Sequence, residues 1–283
     1  MTFVLLAALC SVLVSILLKL APRLRFDIGQ AVAWNYVIAG GLTLLVLHPS
    51  TRSLRAPGMP WATLVALGVL LPTIFLVLGT SVRHAGIVRT DAAQRLSLLV
   101  PLLAAFTLFG EALAPIKLAG CALGLMSLAC MLHRPGRGGA KAQAGWSGWL
   151  HPLLVFVGFG IIDVLFKRVA AAGIPLGTAL TIAFALALLV AFAIQFARRS
   201  RFTLRSALAG VALGLCNFGN ILFYLRAHRA LPGQPSLVFA SMNLGVVVLG
   251  ALVGVLVFRE ALGRLATFGV LLALAAIGLL TLA

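Results

Sequence analysis

The sequence predicts an all-α polytopic membrane protein with ten transmembrane helices, arranged as two inverted five-helix repeats around a central cavity. Three observations support this fold class. The 283 residues are 62% hydrophobic and only 10% charged, whereas a soluble domain of this length needs more polar surface. The apolar residues form runs of about 20, the length that crosses a bilayer as a helix. One sequence motif also occurs twice, about 149 residues apart.

Ten apolar segments are predicted as helices, and short connections that contain helix-breaking residues separate them. In chain order they are Thr2–Leu20, Ile28–Leu47, Trp61–Ser81, Ala92–Phe109, Ile116–Leu132, Trp149–Phe166, Pro175–Ala197, Ser206–Leu225, Ser236–Phe258 and Arg264–Leu282. The first segment has neither a basic leader nor a small-residue cleavage site, so we expect a retained helix rather than a signal peptide.

The longest polar stretch lies at the middle of the chain. Residues 133–148, HRPGRGGAKAQAGWSG, are rich in glycine and basic residues. We therefore expect a first five-helix repeat over residues 1–132, a linker over 133–148 and a second five-helix repeat over 149–283.

The repeated motif reads FGEALAPIKLAG in the first half and FREALGRLATFG in the second. The two copies place Glu111 opposite Glu260 and Gly120 opposite Gly269. Both glutamates lie where one apolar run ends and another begins, a position where a carboxylate can cap the free N–H groups of a helix. We interpret them as helix caps rather than as substrate or proton sites.

Two further pairs of residues support the same alignment of the halves. Gln94 lies opposite Asn243, and Lys19 lies opposite Lys167. Because five helices are an odd number, the second copy begins on the other side of the membrane, and the repeats are inverted. Inverted repeats are typical of transporters whose site lies at the repeat interface near the membrane midplane.

The net charge of +17 comes mostly from arginine and lysine in the short connections. There they anchor helix ends in the lipid bilayer and set orientation, so we expect no nucleic acid as a partner. The odd-numbered loops carry the larger share, which places them in the cytoplasm and both termini outside.

Polar side chains within apolar runs face either a cavity or a neighbouring helix. Asn217, Asn220 and Tyr224 share one face of the eighth helix, and Gln94 and Asn243 are matched between the halves. These residues either bind a substrate or form hydrogen bonds between helices.

The sixth predicted helix carries a carboxylate within its apolar run. Phe156 and Asp163 lie on one face, and Lys167 follows Asp163 by four residues. Asp163 either forms an ion pair with Lys167 or faces the cavity, where it would bind an ammonium group or a proton. Asn35 in the second helix and Phe75 in the third are further candidates for the cavity.

The duplicated five-helix plan, with Pro101 ten residues before Glu111 and Gly120 after it, resembles the drug/metabolite transporter superfamily, EamA type. The chain departs from that pattern at Gly250, where a proline is expected. It also lacks the frequent Trp-Gly of the first helix, where residues 13–15 read Leu-Val-Ser.

The resemblance implies a secondary transporter in the bacterial inner (plasma) membrane that exports small amphipathic metabolites by alternating access. Within the superfamily the chain is most similar to exporters of aromatic and other apolar amino acids. It also implies both termini inside, against the charge count. The residues predicted to bind the substrate are Asn35, Phe75, Gln94, Phe156, Asp163, Asn217, Asn220, Tyr224 and Asn243.

Other classes of protein fit the sequence less well. A membrane enzyme needs clustered acids or histidine motifs, whereas this chain has five dispersed acids. A channel needs a continuous polar lining or a charged ring. An exporter of other drugs or metabolites remains an alternative. We expect a monomer with no cofactor, no metal and no catalytic residue.

If Glu111 and Glu260 are caps, Glu111→Gln and Glu260→Gln will each lower the free energy of unfolding by about 1 kcal/mol or less and leave transport largely intact. Thermal unfolding and substrate flux measured on the same preparations test this. Loss of flux with unchanged unfolding would contradict the cap interpretation.

Overall fold

The computed structural model describes residues 2–49, 58–97, 99–100, 115–132, 147–230, 235–259 and 263–282. Every regular element within these ranges is helical. The helices are α1 (Thr2–Leu24), α2 (Ile28–Leu47), α3 (Trp61–Ala85), α4 (Ile87–Leu96), α5 (Pro115–Leu132), α6 (Ser147–Ala171), α7 (Leu176–Ala197), α8 (Leu204–Ala230), α9 (Pro235–Leu252) and α10 (Arg264–Leu282). A short π-helical segment, Val253–Val257, continues α9. The all-α prediction is confirmed.

Six of the described helices, α1, α2, α3, α6, α7 and α8, are long and apolar enough to cross a membrane. The protein is therefore a multi-pass membrane protein. Shorter apolar stretches occur within α5 and α10 and from α9 into the π-helical segment. The described part of α4 differs, because it contains Arg89, Asp91 and Arg95.

Several helix boundaries differ from the sequence prediction, among them those of α1 and α4. Helix α1 continues past Leu20 to Leu24 with Pro22 in its last turn, and Arg25 ends it by adopting a positive φ of 53°. Pro22 cannot donate to the Leu18 carbonyl, and its ring crowds that carbonyl, so α1 continues for only two residues beyond it. Helix α4 begins at Ile87 rather than Ala92, because Gly86 alone separates it from α3.

The early start of α4 places another acid within a helix, in addition to Asp163 of the sixth predicted helix. Asp91 also lies within a helix and is only 2% exposed. The polar residues between Ile87 and Ala92 led to the prediction of a connection there. In the structure, partners of these residues lie on neighbouring helices. The structure thus brings a second carboxylate into the interior of the helical bundle.

Side chains fix the start of α2 to the connection between α7 and α8. Asp27 caps the helix, because its Oδ1 accepts a hydrogen bond from the Gln30 N–H at 2.8 Å. The Asp27 N–H donates to Ser206 Oγ at 3.0 Å, and Gln30 Nε2 donates to the Arg201 carbonyl at 2.9 Å. These bonds hold the start of α2 against the start of α8 and the connection that precedes it.

The helix contacts follow a regular pattern. Helix α1 packs against α8 and α9, as α6 packs against α3 and α4. Helix α2 packs against α7 and α8, and α7 packs against α3. The pairs α2 with α7, α4 with α9 and α5 with α10 also form. When α1–α5 are exchanged for α6–α10, the pairs α2–α7, α4–α9 and α5–α10 map onto themselves. Each of the other pairs becomes another pair of the set.

The largest apolar cluster lies where α2, α3 and α7 meet. Tyr36 on α2 is fully buried there. Its ring contacts Phe75 in an edge-on arrangement with centroids 6.3 Å apart, and Phe184 with centroids 5.8 Å apart. These three rings come from three helices, so the cluster fixes their relative positions and forms one wall of the cavity described below.

Glycine permits the close contact between α2 and α8. A methyl group at Gly210 would lie 2.7 Å from the Ala31 carbonyl oxygen, and one at Gly214 would lie 2.9 Å from the Asn35 carbonyl oxygen. These are backbone atoms, which cannot move aside as the end of a flexible side chain can. This Gly-x-x-x-Gly pair therefore packs against the neighbouring backbone, as such pairs do in membranes.

We predict that Gly214→Ala lowers the free energy of unfolding by about 1 to 3 kcal/mol, because the added methyl group overpacks the α2–α8 contact. The matched control is Gly41→Ala on α2, where nothing lies within 4 Å of the added methyl group. That change removes a flexible glycine from a helix and should stabilise it by up to about 1 kcal/mol. Equal unfolding midpoints for the two variants would contradict the close contact.

Candidate functional site

Two adjoining cavities lie among the helices, with volumes of about 250 and 260 Å³. The residues that line both, and so join them, are Gln94, Arg95, Phe159, Asp163 and Asn220. Helices from both halves of the chain contribute to the walls. We refer to the joined space as the central cavity.

One end of the central cavity carries a positive charge from α4. Arg95 is half-buried, and its Nη2 donates a hydrogen bond to Ser11 Oγ on α1 at 2.5 Å. Its Nη1 donates to Asn243 Oδ1 on α9 at the longer distance of 3.4 Å. The Arg95 Nε has no hydrogen-bond partner within the described residues. Two neutral acceptors thus bind the guanidinium group, and its Nε–H group can still donate a hydrogen bond.

A negative charge faces the same space from the other half of the chain. Asp163 on α6 lines both cavities and is exposed to them. Within the described residues no ion pair joins Asp163 to Arg95. The central cavity therefore presents a cation and an anion as separate groups.

A second carboxylate, Asp91, is buried next to the cavity on the same helix as Arg95. Asp91 Oδ1 accepts a hydrogen bond from Ser15 Oγ on α1 at 2.7 Å. A methyl group at Gly250 on α9 would meet Asp91 Oδ2. Gly250 is the position where the related transporters are expected to carry a proline. Its missing side chain leaves the space that the carboxylate occupies, which gives that departure a physical reason.

The other end of the central cavity is aromatic. Phenylalanine and tyrosine side chains from four helices line it, namely Tyr36, Phe75, Phe159, Phe166 and Phe184. The Tyr36 hydroxyl is buried and has no hydrogen-bond partner within the described residues. The cavity thus combines a charged end with an aromatic end that contains one polar atom.

Seven of the predicted site residues line the central cavity. They are Phe75, Gln94, Asp163, Asn217, Asn220, Tyr224 and Asn243. Some of these polar groups also join helices: Asn217 Nδ2 donates to Asn35 Oδ1 at 3.2 Å, and Asn220 Nδ2 donates to the Ala7 carbonyl at 2.9 Å. These amides therefore line the cavity and also form hydrogen bonds between helices.

Two predicted site residues lie behind the walls instead. Asn35 is fully buried between α2 and α8, and its neighbour Tyr36 reaches the cavity. Phe156 packs against Ala93 and Leu96 of α4, and Phe159 lines the cavity in its place. The reason is that α4 covers this part of the α6 face.

Several predictions fall on residues whose placement is outside the described part of the chain. These are the caps formed by Glu111 and Glu260 and the ion pair formed by the Lys167 side chain. They stay predictions.

Arg95 and Tyr36 are the main cavity residues that the sequence-based site prediction left out. A usable signal existed at Arg95, because Asp91 and Arg95 are four residues apart and therefore share a helix face. It was obscured because the predicted fourth helix began at Ala92, which left Asp91 in the connection before it. Tyr36 was one of three adjacent polar aromatic or amide residues, and sequence alone does not fix which of them turns inward.

The fold and the central cavity define a class of protein: a helical membrane protein with a small-molecule site enclosed among its spans. Residues 1–133 match the EamA-like transporter family. This match covers 133 of the 283 residues and lies in the first half of the chain. The match supports a membrane transporter of small molecules.

Two further similarities extend over nearly the whole chain. A protein of Haemophilus influenzae called "Uncharacterized protein" is 43% identical over 276 residues, which cover 96% of this chain and 94% of that one. A protein of known crystal structure aligns over 99% of this chain and 96% of its own, with a TM-score of 0.61 and 20% identity. The latter similarity concerns the fold alone.

Proposed function

We propose that this protein is a secondary transporter that exports small amphipathic metabolites, and that amino acids with aromatic or other apolar side chains are its substrates. The observation that carries the proposal is that two opposite charges, which do not form an ion pair with each other, line the central cavity. Arg95 and Asp163 present opposite charges at one end, and aromatic rings line the other.

The charged end suits the two groups that every free amino acid carries. The Arg95 guanidinium group has a donor available for a carboxylate, and charge-assisted hydrogen bonds of this kind are short and strong. Asp163 is exposed to the cavity and can accept hydrogen bonds from an ammonium group. Gln94 and Asn220 line the space between the two charges and can complete the polar contacts.

The aromatic end suits an apolar side chain. Phe75 and Phe184 offer ring faces and edges, and Tyr36 adds a hydroxyl that has no partner within the described residues. The two adjoining cavities have volumes of about 250 and 260 Å³, and their joined space lies within the range of about 300 to 1,000 Å³ that ligand pockets span. A larger drug is the alternative class of substrate.

Alternating access would use the two halves of the chain. The helix pairs that map onto one another when α1–α5 are exchanged for α6–α10 support two inverted five-helix repeats, residues 1–132 and 149–283. The family match to residues 1–133 covers about one such repeat. Both observations favour a site at the interface between repeats.

Arg95 gives substrate binding a way to change the contact between the halves. It joins α1 to α9 through Ser11 and Asn243, which belong to different halves. A substrate carboxylate is a stronger acceptor than a serine hydroxyl or an amide oxygen. Substrate binding would therefore replace these neutral partners and release α9 from α1.

The proposal predicts that Arg95→Gln and Asp163→Asn each raise the apparent KM for phenylalanine by about 10- to 100-fold, as expected for the loss of one charged hydrogen-bond partner. Flux into proteoliposomes with labelled phenylalanine measures this. The control variant is Arg205→Gln, an exposed arginine at the start of α8 that does not line the central cavity.

Phenylalanine amide, which lacks the carboxylate, distinguishes the two roles. Its transport should depend on Asp163 and be insensitive to Arg95→Gln. Equal sensitivity of phenylalanine and its amide to Arg95→Gln would contradict the carboxylate contact. Unchanged phenylalanine transport in both cavity variants would place the site elsewhere.

We also predict that transport is not obligatorily coupled to protons. A carboxylate at Asp163 that holds a cation, whether Lys167 or the substrate ammonium group, has no need to bind a proton in each cycle. Flux with and without an imposed pH gradient, in the parent and in Asp163→Asn, tests this. Uphill accumulation in the parent that Asp163→Asn abolishes, with downhill exchange retained, would overturn it.

A further inference from the structure

A third cavity, of about 390 Å³, lies away from the central cavity at the ends of four helices. The turn between α1 and α2 forms one side, and the last turns of α3 and the end of α7 form the other. Three arginines from these separate elements line it: Arg25, Arg83 and Arg198. We call it the arginine cavity.

The charges of the arginine cavity are not balanced within the protein. Asp27 is the single carboxylate in its lining, and its Oδ1 already accepts the hydrogen bond that caps α2. None of the three guanidinium groups takes part in a hydrogen bond or ion pair within the described residues. Three like charges around one cavity repel one another, so an anion placed among them is favoured.

The helical framework does not require an arginine in the α1–α2 turn. When the halves are aligned at an offset of about 148 residues, Gly173 lies opposite Arg25 and Pro175 lies opposite Asp27. The general preference for basic residues in cytoplasmic loops explains their number at one end of the molecule. It does not explain why three of them converge on a single cavity.

The surroundings indicate which kind of anion fits. The ends of the apolar spans α1, α2, α3 and α7 meet here, which is the level at which lipid headgroups lie. Ile28 and Leu76 add apolar surface next to the guanidinium groups. A ligand with a phosphate and attached acyl chains matches both parts, because guanidinium forks bind phosphate oxygens in pairs.

We propose that the arginine cavity binds the phosphate of an anionic phospholipid headgroup. The phosphate lies among Arg25, Arg83 and Arg198, and the acyl chains run along the apolar surface towards the bilayer. The lipid connects the α1–α2 turn to the ends of α3 and α7, and it thereby stabilises the contact between the two halves at this end of the molecule.

Thermal unfolding of the purified full-length protein in a neutral detergent tests the proposal. Short-chain phosphatidylglycerol should raise the Tm by about 2 to 4 °C, whereas phosphatidylcholine at the same concentration should not. The triple variant Arg25→Gln/Arg83→Gln/Arg198→Gln should lose this shift. The matched control is Arg23→Gln/Arg199→Gln/Arg205→Gln, which removes the same charge from exposed positions outside the cavity and should keep it.

Further arms of the experiment separate the sources of the anion. If inorganic phosphate alone produces the same arginine-dependent shift as phosphatidylglycerol, the ligand is free phosphate and the lipid assignment is wrong. If both triple variants lose the shift equally, the effect is one of general surface charge and the proposal is overturned.

If the triple cavity variant fails to fold, lipid binding can be measured on the parent protein instead. Native mass spectrometry from mixed micelles should retain about one phosphatidylglycerol per chain in preference to phosphatidylcholine. Equal retention of the two lipids would contradict the arginine cavity as a headgroup site.

Discussion

A charge within a membrane protein must find partners inside the protein, and the placement of Arg95 depends on this constraint. Its guanidinium group reaches Ser11 on α1 and Asn243 on α9, and so it joins three helices. Asp91, one turn earlier on the same helix, is held by Ser15. The short polar helix α4 lies in the bundle interior, where Arg95 and Asp91 find hydrogen-bond partners on α1 and α9, and the charged end of the central cavity follows from that position.

The walls of the cavity depend on a second constraint, the close packing of helices at glycine. Gly214 lets α8 approach the backbone of α2, and in this contact Asn217 reaches Asn35 across the two helices. The same asparagine lines the cavity. A change at Asn217 therefore alters both a helix contact and the cavity surface. Measurements at Arg95 and Asp163, compared with a helix-packing variant such as Gly214→Ala, separate binding from stability more cleanly.

The accuracy with which the sequence predicted helix boundaries and cavity residues depended on where the polar residues lie. Helix α2 begins and ends at the predicted residues, because Asp27 precedes its apolar run and His48 and Pro49 follow it. Helix α4 was assigned too late a start, since its polar residues find partners only after the helices assemble. The cavity role of Phe159 instead of Phe156 was equally hidden, because it depends on where α4 covers α6. The composition and length of the apolar runs predict the helices. Contacts between helices determine which residues of each helix face the cavity.

The two bonds of Arg95 are unequal, and this inequality bears on how the proposed transport cycle would begin. The bond to Ser11 is 2.5 Å long, whereas that to Asn243 is 3.4 Å, beyond the usual range for a strong hydrogen bond. A carboxylate that competes for the guanidinium group would displace the weaker partner first, which lies on α9. That helix continues into the π-helical segment Val253–Val257, and such segments interrupt regular helices and occur often at functional sites. The helix that substrate binding would release is thus also the one whose backbone already departs from regular α-helical geometry.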